Sequence, residues 1–182
     1  MIRIKTILMC LPCALIIAAC YPKTSEPAAA FADEALDYCL SQTERSLEML
    51  QPYDYMMSPR NVAPGDSVWH QRPVSKELWT EGFWPGILWY AYEYSQDESI
   101  LEAAKGYTEV LEFLSQQPAY DHDLGYIMFC SYGNGYRLTG DERYKDIIIA
   151  TAERLAELYN PAVGTMLSWP REVPTFGGHN TI

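Results

Sequence analysis

The sequence has little positive charge, little histidine and none of the short motifs that mark common catalytic sites. Its 182 residues include 13 Lys and Arg against 24 Asp and Glu, which gives a formal net charge of −11, and only 3 His. This balance argues against nucleic-acid binding, because no basic stripe is present to meet phosphates. Zinc-ligand spacing, a Gly-x-Ser-x-Gly turn, a phosphate loop and a dinucleotide fingerprint are also missing. A small anionic sugar could still be held by local arginines.

The first twenty residues predict export and lie outside the predicted fold. Arg3 and Lys5 precede an apolar run over residues 7–19, which is too short to span a bilayer comfortably. A charged start, a short apolar core and small residues before a cleavage point are typical of a secretory signal. The run ends in IAAC, which resembles a bacterial lipobox and predicts Cys20 as the acylated first residue of a membrane-anchored lipoprotein, periplasmic or at the cell surface. Ordinary signal cleavage is the alternative.

The rest of the chain divides into a short linker and one folded region. Residues 21–30 are rich in Pro, Ser, Thr and Ala and are predicted to be a flexible tether. Residues 31–182 are numerous enough to bury a core. Cys39 and Cys130 are the two cysteines of this region. A disulfide between them is conceivable in an oxidising compartment, but their apolar helical surroundings favour two buried thiols.

Apolar spacing predicts helices throughout the folded region and no strand with sustained alternation. The predicted helices cover residues 31–51, 84–94, 98–115, 125–138 and 142–159. Asp97 is the predicted N-cap of the third helix. A unit of apolar helix, turn ending in Asp and amphipathic helix occurs twice, since residues 92–100 align with residues 136–144.

This repeat predicts stacked helical hairpins. The first helix of each pair is apolar all round and should lie inside, whereas the second keeps a charged face and should lie outside. The result is an α/α barrel or an α-solenoid. Residues 162–182 show no helical period, which is unusual for so long a segment. We therefore expect a chain that covers part of a toroid, with a small solenoid and a loose tail as the alternative.

Asp121-His122-Asp123 stands just before a predicted inner helix and is the first candidate site. Spacing alone favours Asp123 as the cap of that helix and Asp121 as a solvated side chain. The functional alternative places both carboxylates at the mouth of the barrel, where they could bind sugar hydroxyls or move protons. His122 could orient a carboxylate or hydrogen-bond a substrate, and it is too isolated to predict a metal ligand.

Aromatic residues supply the second and third candidates. Residues 79–86 (WTEGFWPG) precede the other inner helix, and aromatic faces stack well on pyranose rings. We expect Trp79 in that role, with core packing the better interpretation for Phe83 and Trp84. Trp169 lies on the irregular tail, where sugar stacking and covering the barrel end are equally supported.

Taken together, these segments resemble the unsaturated glucuronyl hydrolases, family 88 of the glycoside hydrolases. The matching pieces, in order, are WTEGFWPG at 79–86, LWYAYE at 88–93, HDLGY at 122–126, YRLTG at 136–140, and Trp169. No single piece is decisive, but the whole series is specific and spans residues 31–182. The resemblance implies an all-α (α/α)6 barrel, of which this chain would hold about the first half.

The resemblance also implies an activity. The substrate would be an oligosaccharide that a polysaccharide lyase has left with a 4,5-unsaturated uronic acid at its non-reducing end. In this family a carboxylic acid protonates C4 of the vinyl ether, water adds at C5, and the hemiketal opens with loss of the glycosidic bond. Direct displacement at the anomeric carbon does not apply. No metal or organic cofactor is implied. A related unsaturated rhamnogalacturonyl hydrolase and a non-catalytic glycan-binding lipoprotein are the alternatives.

Residue roles follow from the motif match. Asp123 corresponds to the first of two essential Asp residues and would grip the sugar hydroxyls. His122 matches the neighbouring site histidine, and Trp79 and Trp169 match sugar-contacting tryptophans. The second Asp, the general acid and base, is expected beyond Ile182. The 182-residue chain is therefore expected to be inactive alone.

Overall fold

The computed structural model describes residues 26–50, 54–75 and 79–168. Its helices are α1 (Glu26–Leu50), α2 (Phe83–Ser95), α3 (Glu98–Glu109), α4 (Leu124–Met128), α5 (Asn134–Thr139) and α6 (Glu142–Ala156), with a 3-10 turn at Glu112–Gln116 and a π-helical turn at Phe129–Gly133. The strands are β1 (Met57–Asn61), β2 (His70–Pro73), β3 (Tyr159–Asn160) and β4 (Thr165–Met166). Within these ranges, no helix is long and apolar enough to cross a membrane.

All five predicted helices are present, with different ends. Residues 26–30 were predicted to belong to the tether but form the start of α1, because Ala is the strongest helix former and Pro27 is tolerated in a first turn. The third helix ends at Glu109, and the rest of its predicted span contains a 3-10 turn. The fourth predicted helix is continuous but passes through α4, the π-helical turn and α5.

Two small antiparallel hairpins were not predicted. The first pairs Met57 with Pro73 and shifts register between Pro59 and Asn61. The second joins β3 and β4, which have two residues each. Strands this short, with prolines among them, carry no alternating pattern that a sequence could reveal. The first hairpin, called the β1–β2 hairpin below, matters for the candidate site.

The sequence repeat is a structural repeat, as predicted. Gln96 and Gly140 both adopt the left-handed conformation, with φ of 57° and 69°, and each N–H donates to the carbonyl four residues earlier at 2.8 Å. Asp97 and Asp141 follow, and each carboxylate accepts the N–H two residues further on, which caps α3 and α6. The same turn therefore reverses the chain twice, once in each helical hairpin.

Stacking of the two hairpins is fixed by residues at equivalent places in the repeat. Arg137 lies 44 positions after Glu93 and donates to both of its carboxylate oxygens at 2.7 Å. In the core between them, Trp89 donates through Nε1 to Thr108 Oγ1 at 2.8 Å, and its ring lies edge-on to Tyr144 with centroids 6.4 Å apart. These contacts join the inner helices α2 and α5 to the outer helices α3 and α6.

The inner helices are not buried all round, contrary to the prediction. One face of α2 is exposed along its whole length, as is part of α4 and the π-helical turn. The exposed residues are Phe83, Ile87, Tyr90 and Tyr94 on α2, and Tyr126 and Phe129 on the following inner helix. This is the exposure that we expect for inner helices of a partial toroid, since an inner helix needs neighbours on both sides.

The prediction of two buried thiols is half right. Cys39 and Cys130 are both free, but Cys39 is exposed and Cys130 is only partly buried. Cys39 lies on an open apolar groove between α1 and α2, beside Leu40 and Ile87. Apolar spacing placed Cys39 on the apolar face of α1, but the part of that face around Cys39 is open in the described part of the chain. Burial raises the pKa of the Cys130 thiol.

Candidate active site at the start of two inner helices

The starts of α2 and α4 lie against each other through a glycine. A Cβ atom on Gly82 would lie 2.3 Å from the carbonyl oxygen of Ile127, so only glycine allows this contact. Ile127 is one helical turn beyond Asp123, to whose carbonyl its N–H donates at 3.1 Å. The contact brings together the two segments that the sequence singled out, residues 79–82 and 121–123.

Asp121 and Asp123 have roles opposite to those favoured by spacing. Asp123 occupies the N-cap position of α4, but its side chain makes no capping hydrogen bond. Asp121 is buried instead, and its Oδ1 accepts the N–H of Asp123 at 2.9 Å. The helix-capping interpretation of Asp123 and the solvated interpretation of Asp121 are therefore wrong. Because Asp121 closes the turn, the Asp123 carboxylate, whose side chain is 18% exposed, is left for other contacts.

His122 joins this turn to the segment just before Trp169. Its backbone N–H donates to the carbonyl of Ser168 at 3.0 Å, and its ring Nδ1 is also 3.0 Å from that oxygen. On the other side of the ring, Nε2 lies 3.5 Å from Oδ1 of Asp123. A histidine held in this way can orient the Asp123 carboxylate, which is one of the two roles that the sequence left open.

Trp79 is a half-exposed aromatic platform just before the start of α2. Its side chain is 48% exposed and packs edge-on against Phe83, with ring centroids 5.5 Å apart. Trp84 is buried, as predicted, but Phe83 is exposed, so the prediction that it packs in the core is wrong. Two accessible rings at the start of α2 form a surface on which a pyranose could stack.

Glu81 is a site residue that the sequence did not reveal. It is 3% exposed, and it accepts hydrogen bonds from the hydroxyl of Ser58 and the backbone N–H of Ser75, which lie on and just after the β1–β2 hairpin. Its other carboxylate oxygen, Oε2, has no hydrogen-bond partner. Next to it, the guanidinium of Arg60 donates to the hydroxyl of Thr80.

Burial dominates the electrostatics of Glu81. Loss of solvent raises the pKa of its carboxyl from 4.5 to about 6, although the hydrogen bonds from Ser58 and Ser75 and the charge of Arg60 act in the opposite direction. A carboxyl whose pKa is perturbed by burial is a candidate for a functional role. The only sequence signal for it was a glutamate between aromatic residues in WTEGFW.

Two predicted residues, Trp169 and Cys20, lie outside the described residues, and their roles stay predictions. Across the described ranges, no group of three or more His, Cys, Asp or Glu side chains is arranged to hold a metal ion.

An open pocket of about 480 Å³ lies elsewhere, between α1, the start of the loop that follows it, and α3. Its lining includes four carboxylates, from Glu44, Glu48, Asp54 and Glu102. Because these charges repel an anionic sugar, size alone does not make this pocket the substrate site. The turn at Asp123 has the better chemistry, since it offers a carboxylate and an imidazole together.

Repeated helical hairpins with polar residues at the starts of the inner helices are common to α/α barrels and α-solenoids, and the solved structures that this chain resembles are (α/α)6 barrels. Comparisons with known proteins identify the kind of barrel. The chain is similar to unsaturated glucuronyl hydrolases, which confirms the resemblance found in its motifs. No family model matches the sequence.

The curated relatives are named unsaturated glucuronyl hydrolase or unsaturated chondroitin disaccharide hydrolase. The unsaturated glucuronyl hydrolase of Formosa agariphila is 36% identical over 112 residues, which is 61% of this chain and 27% of that protein. The unsaturated chondroitin disaccharide hydrolase of Streptococcus agalactiae is 39% identical over 95 residues, covering 50% of this chain and 23% of that protein. The chain thus matches about a quarter of the length of these relatives.

Solved structures agree. An unsaturated glucuronyl hydrolase specific for heparin superposes with a TM-score of 0.66 and 35% identity, over 77% of this chain and 36% of that one. The enzyme from Bacillus sp. GL1, described as responsible for the degradation of glycosaminoglycan, gives the same TM-score at 25% identity and the same coverage. An Asp-to-Asn mutant of the Streptococcus agalactiae enzyme, solved with dGlcA-GalNAc6S, gives 0.56 at 26% identity, over 67% of this chain and 32% of that one.

Proposed function

We propose that the protein removes a 4,5-unsaturated uronic acid from the non-reducing end of lyase-derived oligosaccharides. The observation that carries this proposal is the Asp123 carboxylate, which stands at the start of an inner helix without capping it and faces the imidazole of His122. Relatives named unsaturated glucuronyl hydrolase and unsaturated chondroitin disaccharide hydrolase support the same reaction class.

Asp123 and Trp79 would hold the unsaturated ring while water is added across its double bond. A carboxylate that accepts from two ring hydroxyls fixes the position of C4 and C5, and stacking on Trp79 orients the ring plane. The proton for C4 requires a second carboxylic acid, to which the family resemblance matches no residue of this sequence. The assay should therefore use the product of the full reading frame that contains these residues.

The experiment is a turnover assay on unsaturated disaccharides prepared with chondroitin, hyaluronan and heparin lyases. Hydration of the 4,5-double bond removes its ultraviolet absorbance, so activity appears as a fall in absorbance that depends on enzyme concentration. Asp123→Asn is the matched control and should show no fall. Binding of the disaccharides without turnover by the wild type would support a glycan-binding protein instead, and turnover of unsaturated rhamnogalacturonan fragments alone would support the related hydrolase.

We also propose export and anchoring through a lipid on Cys20. The support is the signal-like run before it and the IAAC ending. Metabolic labelling with palmitate should mark the wild-type protein in the membrane fraction, whereas Cys20→Ala should lose the label. An unlabelled, soluble wild-type protein would leave ordinary signal cleavage as the explanation.

A further inference from the structure

We propose that Glu81 is a positioning residue, whose buried carboxylate ties the β1–β2 hairpin to the start of α2 and thereby fixes Arg60 and Trp79 at the start of that inner helix. The proposal rests on the proposed function, because it assigns Glu81 to that same sugar site. Neither the sequence motifs nor the relatives' names give this residue a role.

Glu81 connects the β1–β2 hairpin to the start of α2. Its side chain accepts from Ser58 on β1 and from the backbone of Ser75 just after β2, so it contacts both arms of the hairpin. Along the chain, Glu81 lies between Thr80, whose hydroxyl accepts a hydrogen bond from Arg60, and Gly82, the N-cap residue of α2. The hairpin is short and irregular, and such a hairpin has little stability of its own. A carboxylate that bonds β1 and the segment just after β2 is therefore well placed to fix it.

The chain neighbours of Glu81 link it directly to the candidate site. Trp79 and Thr80 immediately precede Glu81, and Gly82 immediately follows it in contact with the backbone of Ile127. A movement of Glu81 is thus passed to the aromatic platform on one side and to the helix that carries Asp123 on the other. Because Glu81 would act through Trp79 and Gly82, it is a positioning residue and not a catalytic one.

An uncharged residue would be easier to bury at position 81. Glu81 is 3% exposed and one of its oxygens is unpartnered, so its ionised form is held against the loss of solvent. The charged group acting on it from the hairpin is Arg60, while Ser58 and Ser75 are neutral. The hydrogen bonds from both serines and the charge of Arg60 favour the carboxylate. Because burial outweighs these favourable contacts, protonation should tighten the hairpin and ionisation should loosen it.

The first test needs no substrate. Tryptophan fluorescence of the full-length protein is titrated from pH 5 to pH 8, and the signal of Trp79→Phe is subtracted to isolate Trp79. We expect a change in the Trp79 signal with a midpoint near pH 6 in the wild type. It should be absent in Glu81→Gln and retained in Glu153→Gln, a matched control at an exposed position on α6. A flat wild-type signal, or the same midpoint in Glu81→Gln, would overturn the proposal.

The second test uses the unsaturated disaccharides. For Glu81→Ala at pH 7 we expect KM to rise by roughly tenfold with kcat less affected, because the side chain that positions the hairpin is lost and the reacting groups remain. The change of wild-type kcat/KM around pH 6 that comes from Glu81 should be missing in both Glu81→Ala and Glu81→Gln. Unchanged KM and an unchanged pH profile would contradict the inference. Failure of the wild type to act on any disaccharide would instead reject the proposed function, and the fluorescence result would still decide the role of Glu81.

Discussion

Nε2 of His122 lies 3.5 Å from Oδ1 of Asp123, and the opposite ring nitrogen of His122 is held by the carbonyl of Ser168. A carbonyl only accepts, so Nδ1 carries the hydrogen in this contact. Nε2 is then the ring nitrogen that faces the Asp123 carboxylate. This contact links the segment before Trp169 to the proposed sugar-binding acid.

Removal of the Asp121 carboxylate should lower the stability of the fold, whereas removal of the Asp123 carboxylate should change it little. Asp121→Ala loses the acceptor for the Asp123 N–H and should lower the free energy of unfolding by about 1 kcal/mol. Asp123→Ala loses no cap and should leave stability within about 0.5 kcal/mol of the wild type. Chemical denaturation of the two variants measures both values. A larger loss for Asp123→Ala would return Asp123 to the role of a helix cap.

Replacing His122 by Phe should reduce function while preserving the fold. The backbone N–H of residue 122 keeps its hydrogen bond to Ser168, so the turn should persist. Loss of the 3.5 Å contact with the Asp123 carboxylate should lower kcat/KM by about tenfold. Circular dichroism and the disaccharide assay together test this. Wild-type kcat/KM in the folded variant would remove His122 from the site.

Glu81 should make the fold less stable as the pH rises. Its pKa is raised from 4.5 to about 6, so the folded protein binds the proton more tightly than the unfolded chain. The stabilisation from this proton is fully present below pH 4.5 and is lost as the pH passes 6. The shift corresponds to a loss on the order of 2 kcal/mol.

Glu81→Gln should therefore unfold at a higher denaturant concentration than the wild type at pH 7, and the difference should shrink toward pH 4.5. Denaturation at several pH values measures it. A Glu81→Gln variant less stable than the wild type at pH 7 would show that the buried charge contributes more than its burial costs.

Gly82 and Gly125 should differ sharply when replaced by Ala. A Cβ at Gly82 would meet the Ile127 backbone at 2.3–2.8 Å, whereas the nearest atom to a Cβ at Gly125 is 3.9 Å away. Gly82→Ala should therefore destabilise by about 3 kcal/mol or more, because two backbones must separate. Gly125→Ala should be neutral or stabilising by up to about 1 kcal/mol, since Ala favours helix. Equal melting temperatures for the two variants would refute this contact.

Local patterns predicted most of the fold, and long-range contacts account for what they missed. Apolar spacing and the residues Asp97 and Asp141 were sufficient for the helical hairpins, because a turn and its cap involve only neighbouring residues. The capping role assigned to Asp123 was wrong because Asp121, two residues earlier, closes the same turn. A sequence pattern cannot choose between two acids so close together.

Glu81 was missed for a different reason. Its burial depends on Ser58 and on a hairpin whose strands are too short to show alternation. The family motifs marked Trp79 and Asp123, but the hydrogen bonds that hold their surroundings become visible only in the structure.

The central claim is that Asp123 is a sugar-binding carboxylate of an unsaturated uronyl hydrolase. The most direct measurement is the loss of double-bond absorbance from chondroitin and heparin unsaturated disaccharides, with the wild-type full reading frame beside Asp123→Asn. We predict turnover by the wild type and a decrease of at least about 100-fold in the variant, with both proteins equally folded. Comparable turnover by the two proteins would contradict the account, because Asp123 would then have no part in the reaction.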